Sequence, residues 1–160
     1  NIISIAVAST PAVVPQGKIL QVVRATDSTD HSTTSTSYVD VTGMSVTITP
    51  QKSDSAILVL AFVAANFGTT SDGAPVGTFR ITDSSNNAIL GAEGSDFGLI
   101  FVTGAAPIVR SPIALTAYAT PATTSAVTYK LQFKVSAATA TLTVSNAANT
   151  GSMYAIEVSA

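Results

Sequence analysis

The run STTSTSYVDVTGMSVTITPQKSDSAILVLAFVAA, Ser32 to Ala65, decides the fold. After a polar Ser/Thr lead-in and Tyr38-Val39-Asp40-Val41 comes a strict alternation, Met44-Ser45-Val46-Thr47-Ile48-Thr49, stopped by Pro50. Alternation with period two and β-branched residues predicts a half-buried strand at a water-facing sheet edge. A polar turn, Gln51 to Ser55, leads into an apolar run, Ala56 to Ala65. Apolar on both faces, that run predicts a central strand covered on both sides.

Working outward, the same pattern recurs. Residues 18–26, 76–83, 97–103, 109–118, 127–135, 139–145 and 153–160 each read as a strand, and residues 88–90 close a hairpin through the polar turn 84–87. The clearest alternation is Val127 to Val135, with Lys130, Gln132 and Lys134 facing out. Pro112 marks its strand as an edge or a bulge. Residues 27–35, 66–75, 91–96 and 120–125 read as loops, rich in Gly, Pro, Ser, Thr and Asp. About nine to eleven short strands without helical periodicity predict an all-β antiparallel sandwich of jelly-roll type. Residues 1–16 form an extended arm and residues 17–160 the sandwich domain, since Pro11 and Pro15 exclude helix in the arm. The apolar residues of that arm, Ile2, Ile3, Ile5, Val7, Val13 and Val14, suit strand addition to a neighbouring subunit.

Composition narrows the function classes. In 160 residues, 46% are hydrophobic and 10% charged, enough apolar surface to offset ordering entropy in one domain. The net charge is −2 and the seven basic residues are scattered, so no patch exists to neutralise nucleic-acid phosphates. A weakly charged surface repels its own copies poorly, which favours self-association. The absence of cysteine excludes disulfides and thiolate metal sites. No apolar run reaches the ~20 residues of a membrane helix, so membrane insertion is not expected. The apolar start lacks the positive region of a signal peptide, and its first residue, Asn1, leaves room for a preceding segment.

Candidates for chemistry are few. His31 is the only histidine, in a polar loop without a nucleophile elbow, so any Ser-His-Asp triad must use it. Asp27 and Asp30 flank it but lack the dense oxygen spacing of a calcium loop, and no metal or cofactor is expected. Glu93 and Asp96 form a two-carboxylate pattern in a Gly-rich loop, yet the sugar platforms of a glycosidase want Trp, which is absent. No catalytic residue is assigned and the expectation is a non-enzyme. Tyr38, Tyr118, Tyr129 and Tyr154 read as packing or interface residues, and recognition belongs to the loops carrying Asp72, Glu93 and Asp96.

Several ordered segments carry a resemblance. Gly17-Lys18-Ile19-Leu20-Gln21-Val22-Val23, Thr33-Thr34-Ser35-Thr36-Ser37-Tyr38-Val39-Asp40, Gly43 to Pro50 and Ser55-Ala56-Ile57-Leu58-Val59 are followed by Pro121-Ala122-Thr123-Thr124-Ser125 before Thr128-Tyr129-Lys130. Together with the closing Ala155-Ile156-Glu157-Val158-Ser159-Ala160, this resembles a widespread bacteriophage structural module found in tail-fibre and other virion proteins. Residues 66–109 depart from that pattern, and the arm before Gly17 lies outside it. The resemblance implies a virion-surface protein, most simply a homotrimeric tail-fibre or receptor-binding head whose partners are itself, other virion proteins and host-surface glycans. The alternatives are a capsid decoration protein anchored by its arm and an extracellular filament built by strand donation.

Overall fold

The structure, a computed structural model, describes residues 17–70, 75–94, 100–101 and 108–160. The assembly-arm residues Ile2, Ile3, Ile5, Val7, Val13 and Val14, together with Asp72 and Asp96, lie outside the described residues. Among the described residues there is no helix. The strands are β1 (Ile19–Asp27), β2 (Asp30–Thr33), β3 (Val39–Ile48), β4 (Ala56–Thr69), β5 (Val76–Asp83), β6 (Ile100–Phe101), β7 (Ile108–Ala119), β8 (Val127–Val135), β9 (Ala140–Ser145) and β10 (Gly151–Val158).

They form two antiparallel sheets. Sheet A runs β1-β10-β4-β9-β2 with β7 also on β4, and sheet B runs β3-β8-β5-β6. The order of sheet A simplifies once the registers are followed. β10 pairs with β4 from Ala56 to Phe62 and β9 with β4 from Ala65 to Thr69, so β9 and β10 are successive pieces of one row. β1 lies on β10 and β2 on β9, making a second interrupted row outside the first. Strand β7 takes the other edge of β4 along almost its whole length. With each interrupted row counted once, sheet A has row order 1-8-3-6 and sheet B has 2-7-4-5. That is the eight-row jelly roll, and it was the architecture expected from the strand spacing.

The core lies between the sheets. Val41, Met44, Val46 and Ile48 of β3 point into it, as their alternation predicts, against Phe79 and Ile81 of β5 and Leu131, Phe133 and Val135 of β8. Sheet A supplies Ile57, Val59, Phe67, Leu115, Leu142, Val144, Met153 and Ala155. The rings of Phe79 and Phe133, paired across β5 and β8, stack with centroids 6.2 Å apart.

Three local expectations change. Residues 66–69, read as loop, extend β4, because Phe67 is fully buried and Gly68 pairs on both edges. Tertiary pairing overrides the turn preference of Asn and Gly here. Residues 30–33, also read as loop, form β2: its edge is taken by β9, Thr33 is buried, and the Ser32 and Thr143 hydroxyls bond at 2.8 Å. Lastly, β4 is not covered on both sides. Its odd residues enter the core, while Leu58, Leu60 and Ala64 stay half-buried and Phe62 is 43% exposed. The two-faced apolar run thus marks a strand whose second face stays partly exposed.

The strand β3 is broken by a bulge. Between the pairs Asp40↔Gln132 and Ser45↔Lys130 its register slips, and Gly43 takes a φ of 81° there. A side chain at Gly43 would also run into the Asp27 carboxylate, so both the backbone and the space require glycine.

Candidate assembly surface

The outer faces of the two sheets differ in kind. On sheet B, the outward residues of β3 and β8 are Ser45, Thr47, Thr128, Lys130, Gln132 and Lys134, all polar. The Thr47 and Thr128 hydroxyls lie 2.8 Å apart. The Lys130 ammonium donates to Asp40 Oδ2 at 3.0 Å and to Asn86 Oδ1 at 2.8 Å. The Gln132 amide donates to Asp40 Oδ1 at 2.6 Å and to Asn86 Oδ1, while its own oxygen accepts from Arg80 Nε at 2.8 Å. The Arg80 guanidinium lies over the Tyr38 ring, 3.9 Å from its centroid, with the Lys134 ammonium at 4.6 Å. Partial burial raises the Asp40 pKa, but the bonds from Gln132 and Lys130 outweigh it and hold the carboxyl below its usual range. This is a face made for water.

Sheet A presents the opposite. Strands β4 and β10 set Leu60 beside Tyr154 and Leu58 beside Ile156. Beyond them β1 places Val22 against Ile156, and β7 places Tyr118 against Leu58 and Ala114 against Phe62. Val22 is 55% exposed and Tyr118 52%. Phe62 and Tyr154 meet edge to face, centroids 6.3 Å apart. Arg24 beside them is engaged: its guanidinium lies 5.6 Å over the Tyr154 ring and donates to Ser152 Oγ at 3.1 Å, while Arg110, opposite Asn66 on β7, is exposed on the same side of the sheet. A contiguous apolar face spanning four rows of a sheet is the usual mark of an interaction surface rather than of scattered exposed hydrophobes.

The sequence shows only part of this face, for an identifiable reason. Alternation in β10 separates Tyr154, Ile156 and Val158 from Met153, Ala155 and Glu157 without saying which set turns inward. The structure turns the first set outward, with Met153, Ala155 and Glu157 fully buried instead. The signal that could have found it is the two-faced hydrophobicity of residues 56–65.

The other candidates are structural in their contacts. His31 Nε2 lies 3.1 Å from Asp27 Oδ2, and that same oxygen accepts from Asn146 Nδ2 at 2.8 Å and from the Thr29 amide. Asp30 Oδ1 accepts from the Ala147 amide at 2.8 Å. Both carboxylates therefore tie the break between β1 and β2 to the break between β9 and β10. Among the described residues no group of three or more His, Cys, Asp or Glu side chains could hold a metal ion. Glu93 is exposed and accepts from the Gly91 amide at 3.0 Å, bracing its own loop. Replacing Asp27 with alanine strands the fully buried Asn146 amide, and the expected loss is about 1–3 kcal/mol in denaturant unfolding.

Comparison with known proteins adds little. No family model matches the chain, and no curated protein matches it. Among solved structures, the infectious bursal disease virus VP2 subviral particle aligns over 86% of this chain and 39% of that one, at 15% identity and a TM-score of 0.39. The T13 particle of the same virus aligns over 99% of this chain and 40% of that one, at 15% identity and a TM-score of 0.41. The chain thus spans about two fifths of the length of those capsid chains. With TM-scores this low, the jelly-roll assignment stands on the strand order itself.

Proposed function

We propose that this chain is a non-enzymatic structural protein of a bacteriophage virion surface, working as a homotrimer in a tail-fibre or receptor-binding head. The observation that carries the reading is the contrast between the two sheets: one outer face is built for water and the other for burial in an assembly. The resemblance of residues 17–65 and 121–130 to phage tail-fibre and virion modules supplies the setting. In a head of this kind the loops beyond the sheets, with Asp72, Glu93 and Asp96, meet host-surface glycans. The arm of residues 1–16 joins the head to other virion proteins.

Light scattering tests the oligomer. The full chain is expected at three times its 16.2 kDa mass, and the same trimer is expected after residues 1–16 are removed. A monomer overturns the reading, and long polymers that vanish on truncation replace it with a filament joined by strand donation. Antibody raised against the chain should label phage particles at the tail. Label spread over the shell moves the protein to capsid decoration.

A further inference from the structure

We infer that the cleft where β5, β7 and β8 meet at one end of the sandwich binds an uncharged saccharide, with the Tyr129 hydroxyl and the Asp83 carboxylate as its polar contacts. This site is separate from the loops of Asp72, Glu93 and Asp96, and it rests on the proposed function only for the source of its sugar. The cleft has a volume of about 410 Å³, within the ~300–1,000 Å³ of small-molecule sites and with room for roughly one or two sugar rings. Asp83 ends β5, Ala119 ends β7 and Val127 begins β8, and the segments 84–90 and 120–126 supply the rest of the lining.

The observation that points to a ligand is a hydroxyl without a protein partner. Tyr129 is 2% exposed and stands opposite Asp83 in the β5–β8 ladder, so both side chains project inward from sheet B. Its ring packs in the core cluster, while its hydroxyl opens on the cleft and bonds to no described residue. It is free to donate to, and accept from, a molecule lodged there. Burial and the Asp83 charge push its pKa up to about 12, so it stays a neutral donor at physiological pH. Asp83 is the matching acceptor. Its Oδ1 accepts from the Ser85 and Asn87 amides at 2.8 and 2.9 Å, and its Oδ2 accepts from Asn87 Nδ2 at 2.8 Å. A carboxylate has about four acceptor sites, which leaves one for a ligand. Partial burial raises the Asp83 pKa, but the bonds from Asn87 and Ser85 prevail and hold the group ionised.

The lining selects the class of ligand. Among its described residues there is no Lys, Arg or His, so an anion meets the Asp83 charge without a partner of its own. Ile89, Pro121 and Val127 give apolar walls, yet a wholly apolar ligand would leave the Tyr129 hydroxyl and the carboxylate desolvated and unpaired. An uncharged sugar meets both conditions, with C–H faces for the walls and hydroxyls that donate to Asp83 and accept from Tyr129. The walls are also set in advance. The Leu90 carbonyl accepts from the Tyr118 amide at 2.9 Å, and the Ile81 carbonyl accepts from the Ile89 amide at 2.9 Å. Ala122, between Pro121 and Ala126, is held at a φ of 51°, in the left-handed region that favours glycine. A preformed cleft loses little to ordering when it binds.

The test is a titration of the nitrogen-15-labelled full chain, wild type and Tyr129→Phe, followed by amide NMR shifts. The probes are glucose, galactose and N-acetylglucosamine, with N-acetylneuraminic acid and glucosamine as anionic and cationic counterparts. An uncharged sugar is expected to shift the amides of residues 83–90 and 118–129. Its binding is expected to weaken about 3- to 10-fold in Tyr129→Phe, the worth of one hydrogen bond. That variant should melt with the wild type, because the hydroxyl bonds to no described residue; a clear fall in melting temperature, or undiminished binding, overturns its assignment as a ligand contact. Shifts from glucosamine alone or from N-acetylneuraminic acid alone overturn the uncharged class, and shifts confined to residues outside the cleft overturn the site. No shift with any probe overturns the inference and leaves the trimeric head standing. A monomer in light scattering that still takes an uncharged sugar in this cleft overturns the head and leaves the site.

Discussion

Glu157→Ala is expected to lower stability by about 3 kcal/mol, since it takes a charged acceptor away from several amide donors. Glu157 is wholly inaccessible in β10, on the core side of sheet A. Its Oε2 accepts from the Gln21 side-chain amide at 2.6 Å, and its Oε1 accepts from the backbone amides of Gln51 and Lys52 at 2.8 and 3.2 Å. One carboxylate thus holds the edge strand β1 and the turn between β3 and β4 together. Alanine leaves the Gln51 and Lys52 amides without their acceptor, while the Gln21 amide keeps only the Thr49 carbonyl at 2.7 Å. Glu157→Gln, which keeps one oxygen in place, should cost less, and denaturant unfolding at fixed protein concentration measures both. The pH dependence has a definite sign. Burial pushes the carboxyl up, but the hydrogen bonds it accepts prevail and bring it below 4.5. A group whose pKa is depressed by folding stabilises the fold above its unfolded value and loses that contribution as pH falls through the folded one. Melting temperature in the wild type should therefore drop from about pH 4.5 downward, and the drop should be shallower in Glu157→Gln. An equal slope in both proteins would show that other carboxylates dominate acid unfolding.

Phe79→Ala is the second large effect, with an expected loss of about 3–5 kcal/mol. The ring is fully buried in β5, stacked on Phe133 of the neighbouring strand. The sandwich core holds few large side chains, since much of its lining is Val, Ala and Leu. Removing one of its two stacked rings opens a cavity that small, β-branched neighbours cannot fill by changing rotamer. Differential scanning calorimetry reads the loss directly. A change below about 1 kcal/mol would mean that the two sheets close over the gap.

Most of the fold was legible in the chain because alternation is a local signal. Met44 to Ile48 and Val127 to Val135 show it with almost no interruption, and their inward residues are those expected. What alternation leaves undetermined is which face turns inward. In β10 the answer was the less obvious one, because Glu157 is buried by partners in β1 and the 51–54 turn, far away in sequence. The same holds for β2, where Asp30, His31 and Ser32 look like loop until β9 supplies an edge for them. Propensity is weak against a ladder already waiting to be completed. The apolar face of sheet A was half legible, since residues 56–65 announced a second buried face without saying what would bury it.

The paired interruptions in sheet A have a mechanical consequence. β4 and β7 run unbroken, while the two rows beside them are both cut at one level, where Asp27 faces Gly151 and Asp30 faces Ser145. The sheet is therefore a stiff spine carrying a jointed flank. The two cuts fall on a single line, and Asp27, His31 and Asn146 bond across it, so the β1–β10 and β2–β9 halves of the flank are joined there by side chains rather than by strand ladders. The cost of a change at this line falls on a few side-chain bonds, whereas a change within β4 or β7 breaks a continuous ladder.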